Sequence, residues 1–162
     1  MELENLTLGS YEQHLQTILG SEAIFPETIR LDENQLIRIL SGDKPIAKIA
    51  FSSSKYLGNV LGFCPSEKDI QDLELEGIVH DPKTLYLYNF VILPEFQGKG
   101  FGKALFQELV NAAKTQGYTF IEGHFRPNAS LHIVKKEGAE ATSIHSNWCN
   151  TGEEYIHCRL RI

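Results

Sequence analysis

A chain of 162 residues with 42% hydrophobic and 22% charged side chains carries enough apolar material for one ordinary core, which excludes a stapled mini-protein and a disordered segment. One domain over residues 1–162 is expected. Fifteen basic against 21 acidic side chains leave a net charge of −6, and without a lysine or arginine run the composition argues against nucleic acid as a partner.

The N-terminus, Met1-Glu2-Leu3-Glu4-Asn5, is acidic and lacks the charged and apolar regions of a secretory signal. Ser10, followed by Tyr11, Leu15, Ile18 and Leu19, offers a cap and a helical stripe, so residues 10–19 read as a helix closed by Gly20. Two β-rich runs, Gln35–Leu40 and Pro45–Phe51, flank Ser41-Gly42-Asp43-Lys44 and are expected to form a hairpin. Ser52-Ser53-Ser54-Lys55 reads as a loop. The stretch from Tyr56 to His80 has no clear period, and Lys68–Leu75 within it fits a helix or an irregular arm.

Leu85–Leu93 is aromatic and branched with apolar side chains on both faces, as a covered central strand requires, and Pro94 ends it. From Gly100 to Gln116 the apolar positions recur at helical spacing, with Gly117 as the stop. Tyr118–Phe125 reads as a strand and Asn128–Glu137 as a short helix ended by Gly138. Two strands finish the chain; the last, Tyr155–Ile162, alternates two faces, and Asn150-Thr151-Gly152-Glu153 turns between them. The expected class is α/β, with a mixed central sheet flanked by helices, a parallel crossover through the helix at 100–116 and an antiparallel C-terminal pair.

No apolar stretch approaches the roughly 18 residues of a membrane span. Cys64, Cys149 and Cys158 are odd in number and contain no CxxC pair. Reduced thiols and a cytoplasmic location are expected.

The strongest chemical signal lies between the central strand and the helix after it, in Pro94-Glu95-Phe96-Gln97-Gly98-Lys99-Gly100-Phe101-Gly102-Lys103. Glycines at 98, 100 and 102 let the backbone turn sharply and approach a ligand, while free N–H groups and the positive end of the helix dipole favour an anion. Lys99 and Lys103 add positive charge locally. The P-loop spacing is absent, and the third glycine falls one position early for the dinucleotide fingerprint. By chance alone, three such glycines arise in roughly one chain in twenty of this length, so the flanking strand and helix carry the argument.

At these residues the sequence resembles the GNAT superfamily of acyl-CoA-dependent N-acyltransferases. Ile92-Leu93-Pro94 and Gln97-Gly98-Lys99-Gly100-Phe101-Gly102 match its core pattern, and Leu85–Gly138 follows it in order. The resemblance implies a GNAT-like fold, acetyl-CoA as co-substrate and an amine as acceptor. It places the pyrophosphate on Gly98–Lys103 and the pantetheine arm along Phe90, Val91 and Ile92. The family's asparagine near the next helix start corresponds to Asn128, which could equally serve as an N-cap. Whether two copies pair is left open.

Acyl transfer to an amine requires loss of the amine proton, stabilisation of charge on the thioester oxygen, and a proton for the leaving thiolate. Glu122 and His124 share a strand face, where relatives often carry a glutamate base; His124 matches that position, and Glu122 is two residues away. The N–H of Ile92 corresponds to the family's oxyanion donor. The family's usual tyrosine acid corresponds here to Val134: either the helix register differs, or Tyr88, Tyr155 or His132 substitutes, or the thiolate leaves unprotonated and takes its proton from water, and the alternative of a non-catalytic acyl-CoA-binding protein is raised. The five acids Glu67, Asp69, Asp72, Glu74 and Glu76 would favour a cationic acceptor if that arm faces the cleft. His145, Cys149, His157 and Cys158 do not converge well enough for a metal, so none is expected. Cys149 lacks a readable base, and Trp148 reads as core or pocket wall.

Overall fold

The computed structural model describes residues 1–162. Along the chain run β1 (Glu2–Asn5), α1 (Tyr11–Ser21), α2 (Glu33–Leu40), β2 (Asp43–Ser52), β3 (Lys55–Cys64), α3 (Glu67–Asp72), β4 (Thr84–Ile92), α4 (Phe101–Thr115), β5 (Phe120–Phe125), α5 (Ala129–Lys136), β6 (Glu140–His145) and β7 (Tyr155–Arg161). The strands form one mixed sheet ordered β1-β2-β3-β4-β5-β7-β6. Every pairing is antiparallel except that of β4 with β5, which α4 connects as the expected crossover.

Residues 35–40, expected as a strand, are helical and belong to α2. The decisive signal is a capping box: the Asp32 carboxylate accepts from the Gln35 N–H at 2.8 Å and the Gln35 side chain accepts from the Asp32 N–H at 3.0 Å. Leu36, Ile39 and Leu40 then fall on one buried side. The hairpin is therefore not closed at 41–44. It joins β2 to β3 through Ser53 and Ser54, both left-handed at φ 48° and 62°, the conformation of a tight two-residue turn that follows strand twist.

Two apolar layers sandwich the sheet. Leu105, Phe106 and Leu109 of α4 and Leu131 and Val134 of α5 pack with Leu85, Leu87 and Ile121 on one face. Ile18 of α1 and Leu36, Ile39 and Leu40 of α2 pack with Leu61 and Phe63 on the other. No helix is long and apolar enough to cross a membrane.

Two irregularities in β4 prepare the site. Its pairing with β3 skips Tyr88, with Leu61 opposite Asn89 and Gly62 opposite Leu87. In this bulge Tyr88 packs toward the α1–α2 layer, and the next residue, Asn89, faces the same way and bonds Glu22. Pairing with β5 covers only Thr84↔Phe120, Leu85↔Ile121 and Tyr86↔Glu122. Beyond Tyr86 the two strands part, while β5 stays paired along its other edge with β7.

Candidate active site

The split between β4 and β5 opens into a cleft of about 890 Å³ that runs from the glycine loop, across the split, to the loops of the α1–α2 side. That size suits a small-molecule or cofactor site. The Leu93 N–H donates to the Leu57 C=O at 2.9 Å, so strand alternation turns the main-chain groups of Phe90 and Ile92 away from β3 and toward the split. The Ile92 carbonyl is taken by Gln97 Nε2 at 2.8 Å, which ties the start of the glycine loop to the strand end.

Gly98 and Gly100 are left-handed, at φ 72° and 85°, a region that favours glycine. A Cβ on either would meet nothing within 4 Å, so their exposed backbone faces open space rather than packing. Gly100 caps α4 without a side-chain hydrogen bond, leaving the first N–H groups of a 15-residue helix free for an anion. At Gly102 the requirement is close approach: a Cβ would lie 3.0 Å from Ile133 Cδ1 of α5. These features fit the pyrophosphate and amide-rich arm of an acyl-CoA.

Of the expected binding residues, Phe90, Ile92, Gln97, Gly98, Gly100, Gly102, Lys103 and Asn128 line the cleft. Val91 is fully buried, and neither it nor Lys99 nor Phe101 lines the cleft. The Lys99 ammonium turns back to donate to the Glu95 carbonyl at 2.8 Å, 5.5 Å above the Phe96 ring. Asn128 fills both weighed positions: it lines the cleft and caps α5, accepting from the Ser130 N–H at 3.0 Å. Lys136 also lines the cleft and was not singled out by sequence reasoning.

The expected catalytic pair divides. Glu122 is 5% exposed and does not line the cleft. Its carboxylate lies 3.3 Å from His157 Nε2 and 3.7 Å from Arg159. His124 lines the cleft and stacks on Trp148 with ring centroids 3.8 Å apart. Its Nδ1 bonds the Tyr86 hydroxyl at 2.9 Å, while Nε2 is buried without a hydrogen-bond partner. Burial, then the imidazoles of His157 and His145, push its pKa down to about 2, so the ring is neutral.

Val134 is 1% exposed and packed in the α4–α5 core. The substitutes Tyr88, Tyr155 and His132 all line the cleft. Burial raises the phenols of Tyr88 and Tyr155, the latter to about 12, and keeps both protonated. Burial, with the Glu74 and Glu76 carboxylates, raises the Cys149 thiol, which makes it a poor nucleophile. No group of His, Cys, Asp and Glu is arranged to hold a metal.

The model of the acetyltransferase (GNAT) family matches residues 10–134. The chain belongs to this family. Solved structures of the same fold include the ribosomal-protein-S18-alanine N-acetyltransferase of Escherichia coli, 15% identical with a TM-score of 0.73 over 99% of this chain and 93% of that one. Arabidopsis thaliana NAA60 in complex with a bisubstrate analogue is 17% identical with a TM-score of 0.70 over 99% and 97%. A GNAT acetyltransferase from Elizabethkingia anophelis with acetyl-CoA bound is 15% identical with a TM-score of 0.65 over 99% and 97%. No curated protein matches the chain in sequence. At such identities the likeness is one of fold.

Proposed function

We propose that this GNAT protein transfers the acetyl group of acetyl-CoA directly to a primary amine, without a covalent enzyme intermediate. The carrying observation is the split of β4 from β5, a gap lined by unpaired main chain that joins an open glycine cradle to a second cleft end. Acetyl-CoA supplies the activated acyl group. Gly98, Gly100 and Gly102 with the α4 N-terminus hold its phosphates, Lys103 and Asn128 flank them, and Phe90 and Ile92 supply the strand edge for the arm, with the expected Val91 turned to β3 instead. The Ile92 N–H, turned to the split, stabilises charge on the acyl oxygen.

The amine nitrogen attacks the acyl carbon, the C–S bond breaks, and the amine proton leaves through water in the open cleft. Water fills this role because Glu122 lies off the cleft and His124 keeps its unpartnered Nε2 buried on a ring that resists protonation. We read these two as positioning residues: Glu122 braces β5 against β7, and His124 holds Trp148. The leaving sulfur takes its proton from the Tyr88 phenol on the bulge beside the split, and the high proton affinity of the buried phenolate returns the amine proton to Tyr88 through the cleft water. Tyr88→Phe is expected to lower kcat about a hundredfold with little change in KM for acetyl-CoA; equal loss of binding would contradict the assignment.

The inward packing of Val134 favours a second reading, an acyl-CoA-binding protein without turnover. Free-thiol release from acetyl-CoA over a panel of amines separates the two. Amine-dependent release supports transfer; retained coenzyme binding with no release from any amine supports the binding protein.

A further inference from the structure

Five carboxylates crowd the arm between β3 and β4, and the fold gives them different fates. Asp69 and Asp72 are taken by Arg38 at 2.7 and 2.5 Å, and Asp72 also by Lys68 at 2.6 Å. Glu67 does not line the cleft, and Glu76 lies 3.7 Å from His145 Nδ1. Glu74 has no ion pair or side-chain hydrogen bond and lines the cleft. Arg126, a cation that lines the cleft, is engaged by Glu153 at 3.5 Å and by the Ile24 carbonyl at 3.1 Å, and Arg38 and Lys68 are held by Asp69 and Asp72. Glu74 therefore brings an uncompensated negative charge to the end of the cleft opposite the glycine loop.

Its backbone is also unusual. Glu74 is left-handed at φ 52°, just past α3, where the Leu75 N–H reaches back to the Ile70 carbonyl at 2.9 Å. Glycine is the usual residue in such a helix stop. A second, independent feature points to a ligand in the same cleft: Tyr155 is 4% exposed, lines the cleft, and its hydroxyl has no partner. Buried hydroxyls nearly always have one. Between these polar groups the wall is apolar and aromatic, with Leu73, Tyr88 and Trp148.

Resting on the acyltransferase reading, we propose that the acceptor is a dibasic amine, whose second, protonated nitrogen pairs with Glu74 across an apolar spacer while the first reacts at the split. A carboxylate holds an ammonium protonated, and an attacking amine must be neutral. The nitrogen facing Glu74 is thus not the nucleophile. The Tyr155 hydroxyl accepts a hydrogen bond from the inner nitrogen, and Leu73, Tyr88 and Trp148 cover the spacer.

The test compares 1,5-diaminopentane with n-hexylamine, chains of equal length that differ in the second charge. The wild-type protein should favour the diamine by about fivefold in kcat/KM, the scale of one partly solvated ion pair. Glu74→Gln should bring the ratio near one. Glu74→Gly should do the same while raising the melting midpoint by about 1–3 °C, because the left-handed strain is relieved. Tyr155→Phe should raise KM for both amines alike. An unchanged diamine preference in both Glu74 variants overturns the proposal. If neither amine releases thiol from the wild type, calorimetry of 1,5-diaminopentane with the CoA-loaded protein decides. Weaker binding in Glu74→Gln then upholds the cation site while the transfer reading fails; equal or absent binding overturns the cation site.

Discussion

His124, a catalytic candidate in the sequence, sits in surroundings that support the positioning role proposed for it. Its Nδ1 is held by Tyr86, its ring lies on Trp148, and the imidazoles of His145 and His157 stand with centroids 4.9 Å away. A proton on this ring would be desolvated and repelled, so the folded pKa falls to about 2 from the ordinary 6.5. The unfolded chain still takes up that proton below pH 6.5. Stability from this group is therefore complete above pH 6.5 and declines as pH falls below it, by about 2 kcal/mol between pH 7 and pH 5. Urea unfolding at the two pH values should show His124→Gln losing correspondingly less stability than the wild type. An equal loss in both would contradict a neutral buried ring. Carboxylates offer a parallel lesson, since Glu122 and Glu74 look alike in the sequence. One is sealed between β5 and β7, and the other stands unpaired at the cleft.

Among the elements, those carried by strong local patterns were legible. The strand at 84–92, the loop and α4, and α5 with its Asn128 cap each combine periodicity with a stop or cap signal. Residues 35–40 were not, because a six-residue run with four branched apolar side chains suits a buried strand as well as one side of a helix. The Asp32–Gln35 box was the signal that distinguishes them. Asp32→Ala should cost about 1 kcal/mol in chemical denaturation; a loss below about 0.3 kcal/mol would mean that packing of Leu36, Ile39 and Leu40 alone fixes α2. β1 escaped notice because four residues gain strand character only by pairing with β2. The bulge at Tyr88 and the split after Tyr86 are properties of neighbouring strands, and no single segment encodes them. A buried chain of polar groups supports the bulge: Asn59 donates to Asn89 at 2.6 Å, and Asn89 to Glu22 at 2.8 Å. Glu22 also accepts from the Leu31 N–H at 2.8 Å. It joins β3, β4 and the α1–α2 connection across 67 residues of sequence. Burial raises the Glu22 pKa.

For the molecule as a whole, a net charge of −6 is a poor general field for a polyanionic coenzyme, so recognition has to be local. In the proposed reading the main chain supplies it, rather than a basic surface. A parallel pair interrupted after three residue pairs, inside a sheet whose other strands stay paired, leaves one gap. The helix that follows β4 begins at the mouth of that gap. The glycine loop and family pattern make the proposed coenzyme end readable; the proposed acceptor end is lined by the α1–α2 connection, the turn after α3 and the β6–β7 loop, which no short motif records. The most direct test of this account is a titration of the labelled protein with CoA, followed through backbone amide resonances. The amides of Gly98–Gly102 and Phe90–Ile92 should shift together and saturate with one affinity, while those of β1 and β2 stay still. Saturating CoA that leaves both segments unmoved, or moves only distant surface amides, would contradict it.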